Sequence, residues 1–159
     1  MQLLPLGHER FAIVDDVDAD LASSKWHARK QPKTFYARRA PSHNVHEDLH
    51  RVIAKRMGIV GAVDHRNRHG LDCTRGNLRA ATKSQNAANT GLRRTNTSGY
   101  IGVCAFYGRS DRRLSWQVTI GVNGKQRKIG YSKDIIEAAR MYDAAAREAF
   151  GEFASLNFP

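Results

Sequence analysis

Cysteine is scarce in this chain: two among 159 residues, Cys73 and Cys104, well separated. Without a C-x-x-C pair there is no structural zinc signature, a disulfide is not expected, and a reducing cytoplasm is the expected compartment. Long apolar runs are absent too, so no membrane span is expected. The opening M-Q-L-L-P-L-G-H-E-R lacks a basic flank and a continuous apolar core, which argues against a signal peptide. Acidic residues are the other shortage. Fifteen Asp and Glu face 26 Lys and Arg, giving a net charge of +11 and a pI near 10.2. Such a balance points to a polyanionic partner, most simply nucleic acid. The excess is also localised. Residues 50–96 hold 10 Lys and Arg against 2 acids, whereas residues 1–49 are balanced at 7 each. A charge serving only solubility would be spread more evenly.

What is present is a globular composition, 41% hydrophobic and 26% charged, with room for one domain or two small ones. In the first fifty residues, Phe11–Val14 reads as a buried strand closed by an acidic turn carrying Asp15, Asp16, Asp18 and Asp20. Trp26 and Thr34–Ala37 would continue a small antiparallel sheet, broken near Pro32 and Pro41. His50–Met57 then reads as a short amphipathic helix ended by Gly58. His50 is either a group supporting a site or a packing histidine.

The stretch Val63–Asn89 carries the chemistry: V-D-H-R-N-R-H-G-L-D-C-T-R-G-N-L-R-A-A-T-K-S-Q-N-A-A-N. A short apolar approach delivers Asp64 and His65, and a loop rich in Gly, Asn, Asp and Arg follows. Asn77-Leu78-Arg79 forms a second extended piece. A polar helix then runs from about Thr82 or Lys83 to Asn89, with Asn86 expected to face inward. Adjacent strand residues point to opposite faces, so Asp64 and His65 would need a loop-like backbone to converge. A carboxylate, an imidazole and a carboxamide brought together suit metal-assisted hydrolysis of a phosphodiester. Asp64 and the amide oxygen of Asn86 are hard donors fitting Mg2+ or Mn2+. His65, with an ordinary pKa of about 6.5, can take a proton from the attacking water. Asn77 suits a loop organiser, because its side chain bonds backbone groups across a turn. Arg75 and Arg79 are candidate clamps on a flanking phosphate. Taken singly, each of these residues has an ordinary alternative: a surface pair, or a solvated side chain.

Taken together, D-H, G-L-D, N-L-R and Q-N-x-x-N resemble the HNH endonuclease family in its His-Asn-Asn form, as found in homing endonucleases of phage and bacteria. The resemblance implies His65 as general base, Asn77 as loop organiser and Asn86 with Asp64 as ligands of one divalent ion; Arg79 is a further candidate catalytic residue. It also implies cleavage to a 5′-phosphate and a 3′-hydroxyl, a bacterial or phage-infected cytoplasm, and an N-terminal sheet propping the nuclease motif. Some relatives carry a zinc-binding cysteine set; this chain does not.

Beyond a polar, basic stretch with Arg93 and Arg94, which either track a DNA backbone or are solvated, the pattern changes. Tyr100–Tyr107, Leu114–Val122 and Lys125–Tyr131 read as three strands, the last two joined by Asn123-Gly124, a type I′ hairpin signal. A helix follows, with Ser132 as candidate N-cap and apolar positions at Ile135, Ala138, Ala139, Tyr142, Ala145, Ala146 and Ala149. The free sheet face would fit a major groove. S-G-Y-I-G-V, W-Q-V-T-I, K-I-G-Y, E-A-A-R-M-Y-D-A-A-A and L-N-F-P resemble the APETALA-type (ethylene-response-factor) DNA-binding domain over Ser98–Pro159. The outward positions corresponding to that family's base-reading residues are Cys104, Phe106, Thr119, Gly121, Gln126 and Lys128. Only Lys128 is cationic, so the plant recognition code does not carry across. Arg109, Arg112, Arg113, Lys125 and Arg127 are candidate phosphate contacts, which position without specifying.

The expected fold class is therefore α+β. A small N-terminal sheet and a ββα-metal nuclease module (residues 1–92) and a linker (93–98) precede a three-stranded antiparallel sheet packed on one helix (99–159). The expected function is a metal-dependent endonuclease acting on double-stranded DNA, as a monomer or weak dimer, using Mg2+ or Mn2+ and no zinc. The alternative is a DNA-binding transcription regulator with an inactive nuclease half.

Overall fold

A computed structural model describes residues 1–108 and 114–159. Arg109, Arg112 and Arg113 lie outside the described residues. The chain is α+β, with small antiparallel sheets and, among the described residues, three α-helices. It divides into two units, Met1–Thr82 and Lys83–Pro159.

In the first unit, β1 (Gln2–Pro5) pairs with β2 (Phe11–Val14). The acidic segment after β2 is a 3-10 helix, Asp16–Ser23, rather than a simple turn. β3 (His27–Lys30), β4 (Phe35–Ser42) and β5 (Val45–Asp48) form a second sheet, separate from β1–β2 instead of continuing it. β4 runs through Pro41, where a break was expected. A register shift between Arg39 and Ser42 falls there, so the missing proline N–H removes no rung of the ladder. Helix α1 (Leu49–Arg56) buries Leu49, His50, Ile53 and Ala54. β6 (Ala62–His65) and β7 (Leu78–Ala81) form a two-stranded ribbon. The core of this unit gathers Leu4, Val14, Leu21, Trp26, Leu49, Ile53, Leu71, Cys73 and Leu78. Burial pushes the Cys73 thiol up to about 12, so it behaves as a small apolar side chain.

The second unit begins with α2 (Lys83–Ala88), which buries no residue. The stretch expected as a linker carries turns held by side-chain hydrogen bonds. The Asn96 amide donates to Tyr100 O and accepts from Gly99 N–H, while the Ser98 hydroxyl donates to Val103 O at 2.7 Å. β8 (Val103–Tyr107), β9 (Leu114–Val122) and β10 (Lys125–Ser132) make one antiparallel sheet in the order β10-β9-β8. β8 starts three residues later than its sequence pattern, because Gly99 and Gly102 take positive φ, +80° and +73°. At Gly102 a methyl would collide with the Tyr142 ring and lie 2.7 Å from Thr119 O. Asn123 and Gly124 both have positive φ, as a type I′ turn demands. Helix α3 (Ile135–Phe150) packs on this sheet through Ala138, Ala139, Tyr142, Ala145, Ala146 and Phe150. Ala149 is exposed, and Phe150 closes the stripe in its place. The cap is Asp134, not Ser132. Its carboxylate accepts from Ile136 N–H and Glu137 N–H at 2.7 and 2.8 Å, while the Ser132 hydroxyl donates to Glu137.

The terminal L-N-F-P has a structural job. Buried Asp143 accepts from Asn157 N–H, Asn157 Nδ2 and Phe158 N–H, and Asn157 Oδ1 accepts from Ile101 N–H at 2.7 Å. One carboxylate and one amide thus fasten the C-terminus and the approach to β8 onto α3. Asn157→Ala leaves Asp143 and Ile101 N–H short of partners and is expected to destabilise this unit by about 2–3 kcal/mol. Urea denaturation followed by Trp116 fluorescence measures it; a loss below about 0.5 kcal/mol, the range of ordinary surface changes, would refute the role.

Candidate active site

The ribbon β6–β7 and the loop joining its strands present four buried polar side chains within sixteen residues: Asp64, His65, Asn77 and Arg79. Their arrangement follows from the strand pairing. Asp64 lies opposite Arg79 in the register, so the two side chains leave one face together. Arg79 Nε and Nη2 both reach Asp64 Oδ2, at 2.9 and 2.8 Å, and both residues are more than nine-tenths buried. Arg79 is therefore a partner of the carboxylate before it is anything to a phosphate. The backbone stays a strand through His65, where a loop-like turn was expected, so the two neighbouring side chains leave in opposite senses.

His65 faces two other rings. Tyr36 on β4 has its centroid 5.6 Å away and His50 on α1 has its centroid 5.1 Å away, edge-on; Tyr36 and His50 are themselves 5.0 Å apart. Burial lowers the pKa of both histidines to about 4, with each other's proximity adding to the effect on His50. His50 also sits in the first turn of α1, where the helix dipole disfavours a cation. Both imidazoles are neutral at neutral pH. Burial and the nearby Asp64 charge push the Tyr36 phenol up, so it stays protonated.

Asn77 ties the loop between the ribbon strands. Its Oδ1 accepts from Asn67 N–H at 3.0 Å and its Nδ2 donates to Asp72 O at 2.7 Å. Asp72 in turn accepts from Thr74 Oγ1 and Asn67 Nδ2. The loop is also laced to β2, through Ile13 N–H to Leu71 O and Cys73 N–H to Ile13 O. At Gly70 it comes so close to β4 that a methyl would lie 2.5 Å from Phe35 O.

The remaining sequence candidates fall elsewhere. Arg75 grips Asp18 with Nε and Nη2 at 2.8 and 3.0 Å, and its own N–H is held by Asp15. It is an anchor of the loop rather than an open phosphate clamp. Asn86, expected to face inward, is exposed on α2 of the second unit. Arg93, Arg94, Lys125, Arg127 and Lys128 are exposed in that same unit. Lys128 Nζ lies 5.1 Å over the Tyr131 ring, and Thr119 Oγ1 accepts from Gln126. The sheet face there also carries Phe106 against Tyr131, centroids 4.9 Å apart. Sequence reasoning missed Tyr36 as a neighbour of the site, and His50 stood only as one of two readings. The strand that carries Tyr36 was legible in the sequence, but which of its faces meets β6 was not.

Among the described residues no group of three or more His, Cys, Asp and Glu side chains gathers as a metal site. Of the two ligands expected for a divalent ion, Asp64 lies on the ribbon, paired with Arg79, and Asn86 lies in the second unit. No protein-family model matches the chain, and comparison with curated proteins and with solved structures finds no match.

The two depressed histidine pKa values set a pH dependence. Unfolded imidazoles protonate near 6.5 and the folded ones near 4. Between those values the unfolded chain binds more protons, so stability is complete above pH 6.5 and falls as the pH drops towards 4. The expected slope is about 1.4 kcal/mol per pH unit for each histidine. Urea titrations of the first unit's transition from pH 7 to 4 measure this; a flat profile would show that these imidazoles are not buried neutral.

Proposed function

We propose that the first unit is a divalent-metal-dependent DNA endonuclease of the His-Asn-Asn type and that the second unit holds double-stranded DNA. The observation that carries this reading is the burial of Asp64, His65, Asn77 and Arg79 on one short ribbon and its connecting loop, in a chain of charge +11. Polar side chains are costly to bury, and three of the four, Asp64, His65 and Arg79, lie on two four-residue strands. The family resemblance of the same residues supplies the reaction class.

In this reading His65 takes the proton from a water attacking the scissile phosphorus. A base with a pKa near 4 is weak. An approaching phosphate is an anion, which raises an imidazole pKa, so substrate binding itself tunes the base upward. Asn77 fixes the loop that presents it. Asp64 would be a ligand of Mg2+ or Mn2+, which would supply neutralisation of charge building on the phosphate and leaving oxygen. Arg79 orients the Asp64 carboxylate. In the second unit, Lys125, Arg127, Lys128, Arg93 and Arg94 would contact phosphates, with Thr119 on the sheet face towards base edges.

A second reading, a DNA-binding regulator without cleavage, is favoured by one observation: Asp64 already has a buried cationic partner in Arg79. Supercoiled plasmid separates the two. Conversion to open-circular or linear DNA is expected with Mg2+ or Mn2+ and not with chelator. His65→Ala is expected to lower the rate by about 10²–10⁴-fold and to leave DNA affinity intact. Binding should weaken linearly in log affinity against log salt. Absence of metal-dependent cutting alongside tight, salt-sensitive binding would establish the regulator.

A further inference from the structure

The sheet of the second unit holds two large aromatic rings on its outer face, in water. Alternation along β9 separates the two faces. Val118 and Ile120 are buried on the side where α3 packs, so Ser115, Gln117 and Thr119 point the other way. Phe106 pairs with Ser115 and Tyr131 with Gln117, which puts both rings on that outer face. β9 lies between β8 and β10 in the sheet, so the rings meet above it, centroids 4.9 Å apart and planes inclined at 51°. Phe106 remains 38% exposed and Tyr131 43%.

Tyr131 stands there because β10 departs from regular pairing. Lys128 faces Thr119 and Gly130 faces Val118, so one extra residue, Ile129, bulges between them. Regular alternation from Lys128 would send Tyr131 to the helix side, where an aromatic ring could bury its apolar area. The bulge instead turns Gly130 towards α3, where a methyl would lie 2.7 Å from Met141 Cε, and turns Tyr131 outward. The side of the unit that receives the rings is also poor in acids. Between Lys83 and Lys133 the sequence has one acidic residue, Asp111, whereas Asp134, Glu137, Asp143, Glu148 and Glu152 all lie on α3 or at its ends. A polyanion therefore approaches the sheet more readily than the helix. On the described strands Lys128 is the one cation of the outer face, and its Nζ lies 5.1 Å over the Tyr131 ring. Guanine is read in the major groove by cations aimed at O6 and N7, and this face has little to offer it. Apolar contact selects the thymine methyl instead.

We propose that the Phe106–Tyr131 pair is a methyl-reading site: it packs against C5-methyl groups of thymines in the major groove and gives the second unit a preference for thymine-containing duplexes. The inference rests on the reading that this unit holds double-stranded DNA, and adds to it the chemical group by which one duplex is told from another. Gln117 braces the site, its Nε2 donating to the Tyr131 hydroxyl at 3.4 Å. Stacking on unpaired bases fits less well. It needs ring faces open to a base, and here one face of Tyr131 carries the Lys128 ammonium while Phe106 is inclined to it.

The test uses the full chain in chelator, so that no strand is cut, and fluorescence anisotropy with short labelled duplexes. One duplex holds A·T pairs in mixed order, and a second has uracil in place of every thymine. A third holds G·C pairs, and a fourth has 5-methylcytosine in place of cytosine. The uracil duplex keeps every pairing group and loses only methyls. It is expected to bind about fourfold more weakly for each methyl in contact. Methylating the cytosines is expected to strengthen binding of the G·C duplex by a similar factor. Phe106→Ala is expected to erase both differences and to keep the thermal midpoint, since its ring lies on the surface. Lys125→Ala, at the hairpin, is expected to weaken all the duplexes alike. Equal wild-type affinity for the thymine and uracil duplexes would overturn the proposal. So would a thymine preference that survives in both Phe106→Ala and Tyr131→Ala. Tighter binding of the unpaired thymine strand than of its duplex would overturn it in favour of base stacking. If no duplex binds, the DNA-holding reading itself falls; binding that ignores the methyl refutes this inference alone.

Discussion

The first unit depends on one buried carboxylate. Asp18 is wholly inaccessible and is gripped by Arg75 through two nitrogens and by Arg56 through a third at 3.1 Å. These hydrogen bonds, Arg75's first, hold its carboxyl below the usual carboxylate range despite the burial that opposes ionisation. Three segments meet at this atom pair: the 3-10 helix after β2, the C-terminal end of α1, and the loop before β7. Arg56 also closes on Asp20, so the end of α1 is held by two acids of the same short helix. A charge buried this way is tolerable only while its partners stay in place. That demand fixes where the loop carrying Asn77 can lie, and so where β6 and β7 present Asp64 and His65.

From that anchor the site's electrostatics follow. Asp64 has a cation across the ribbon, while His65 on the other face has rings around it and little water. Burial holds the imidazole in its neutral form, and the two side chains are sequence neighbours in different surroundings. Strand geometry makes this separation possible, since alternate side chains enter different surroundings. For His65 burial assigns the protonation state.

The second unit solves a different problem. Its helix stripe is mostly alanine, which allows close approach to the sheet but contributes little apolar area per residue. Polar fastening makes up the shortfall. Asp143 and Asn157 join α3 to the C-terminus and to the approach of β8, and Ser98 with Asn96 ties down the segment before it. Gly102 is part of the same solution, because the Tyr142 ring occupies the space a side chain would need. The outer face of the sheet is thereby left to Gln117, Gln126, Thr119, Phe106 and Tyr131, with cations at the hairpin end.

Local information determined a good deal. The Asn123-Gly124 hairpin, the stripe of α3, the helix at His50 and the strands delivering Asp64 and Arg79 were legible because turn chemistry and periodicity act within a few residues. The candidate residues of the ribbon were legible because their order along the chain carries them. Tertiary structure alone decided their partners. Whether Arg75 meets a phosphate or Asp18, and whether Arg79 meets a phosphate or Asp64, depends on which distant segment lies opposite. A single arginine reads the same in either case. The break expected at Pro41 and the cap expected at Ser132 failed for a related reason: a register shift and a competing neighbour, Asp134, are settled by pairing and helix entry, not by residue type. The ring cluster of Tyr36, His50 and His65 draws on a strand, a helix and a ribbon, and only their packing places the three rings together.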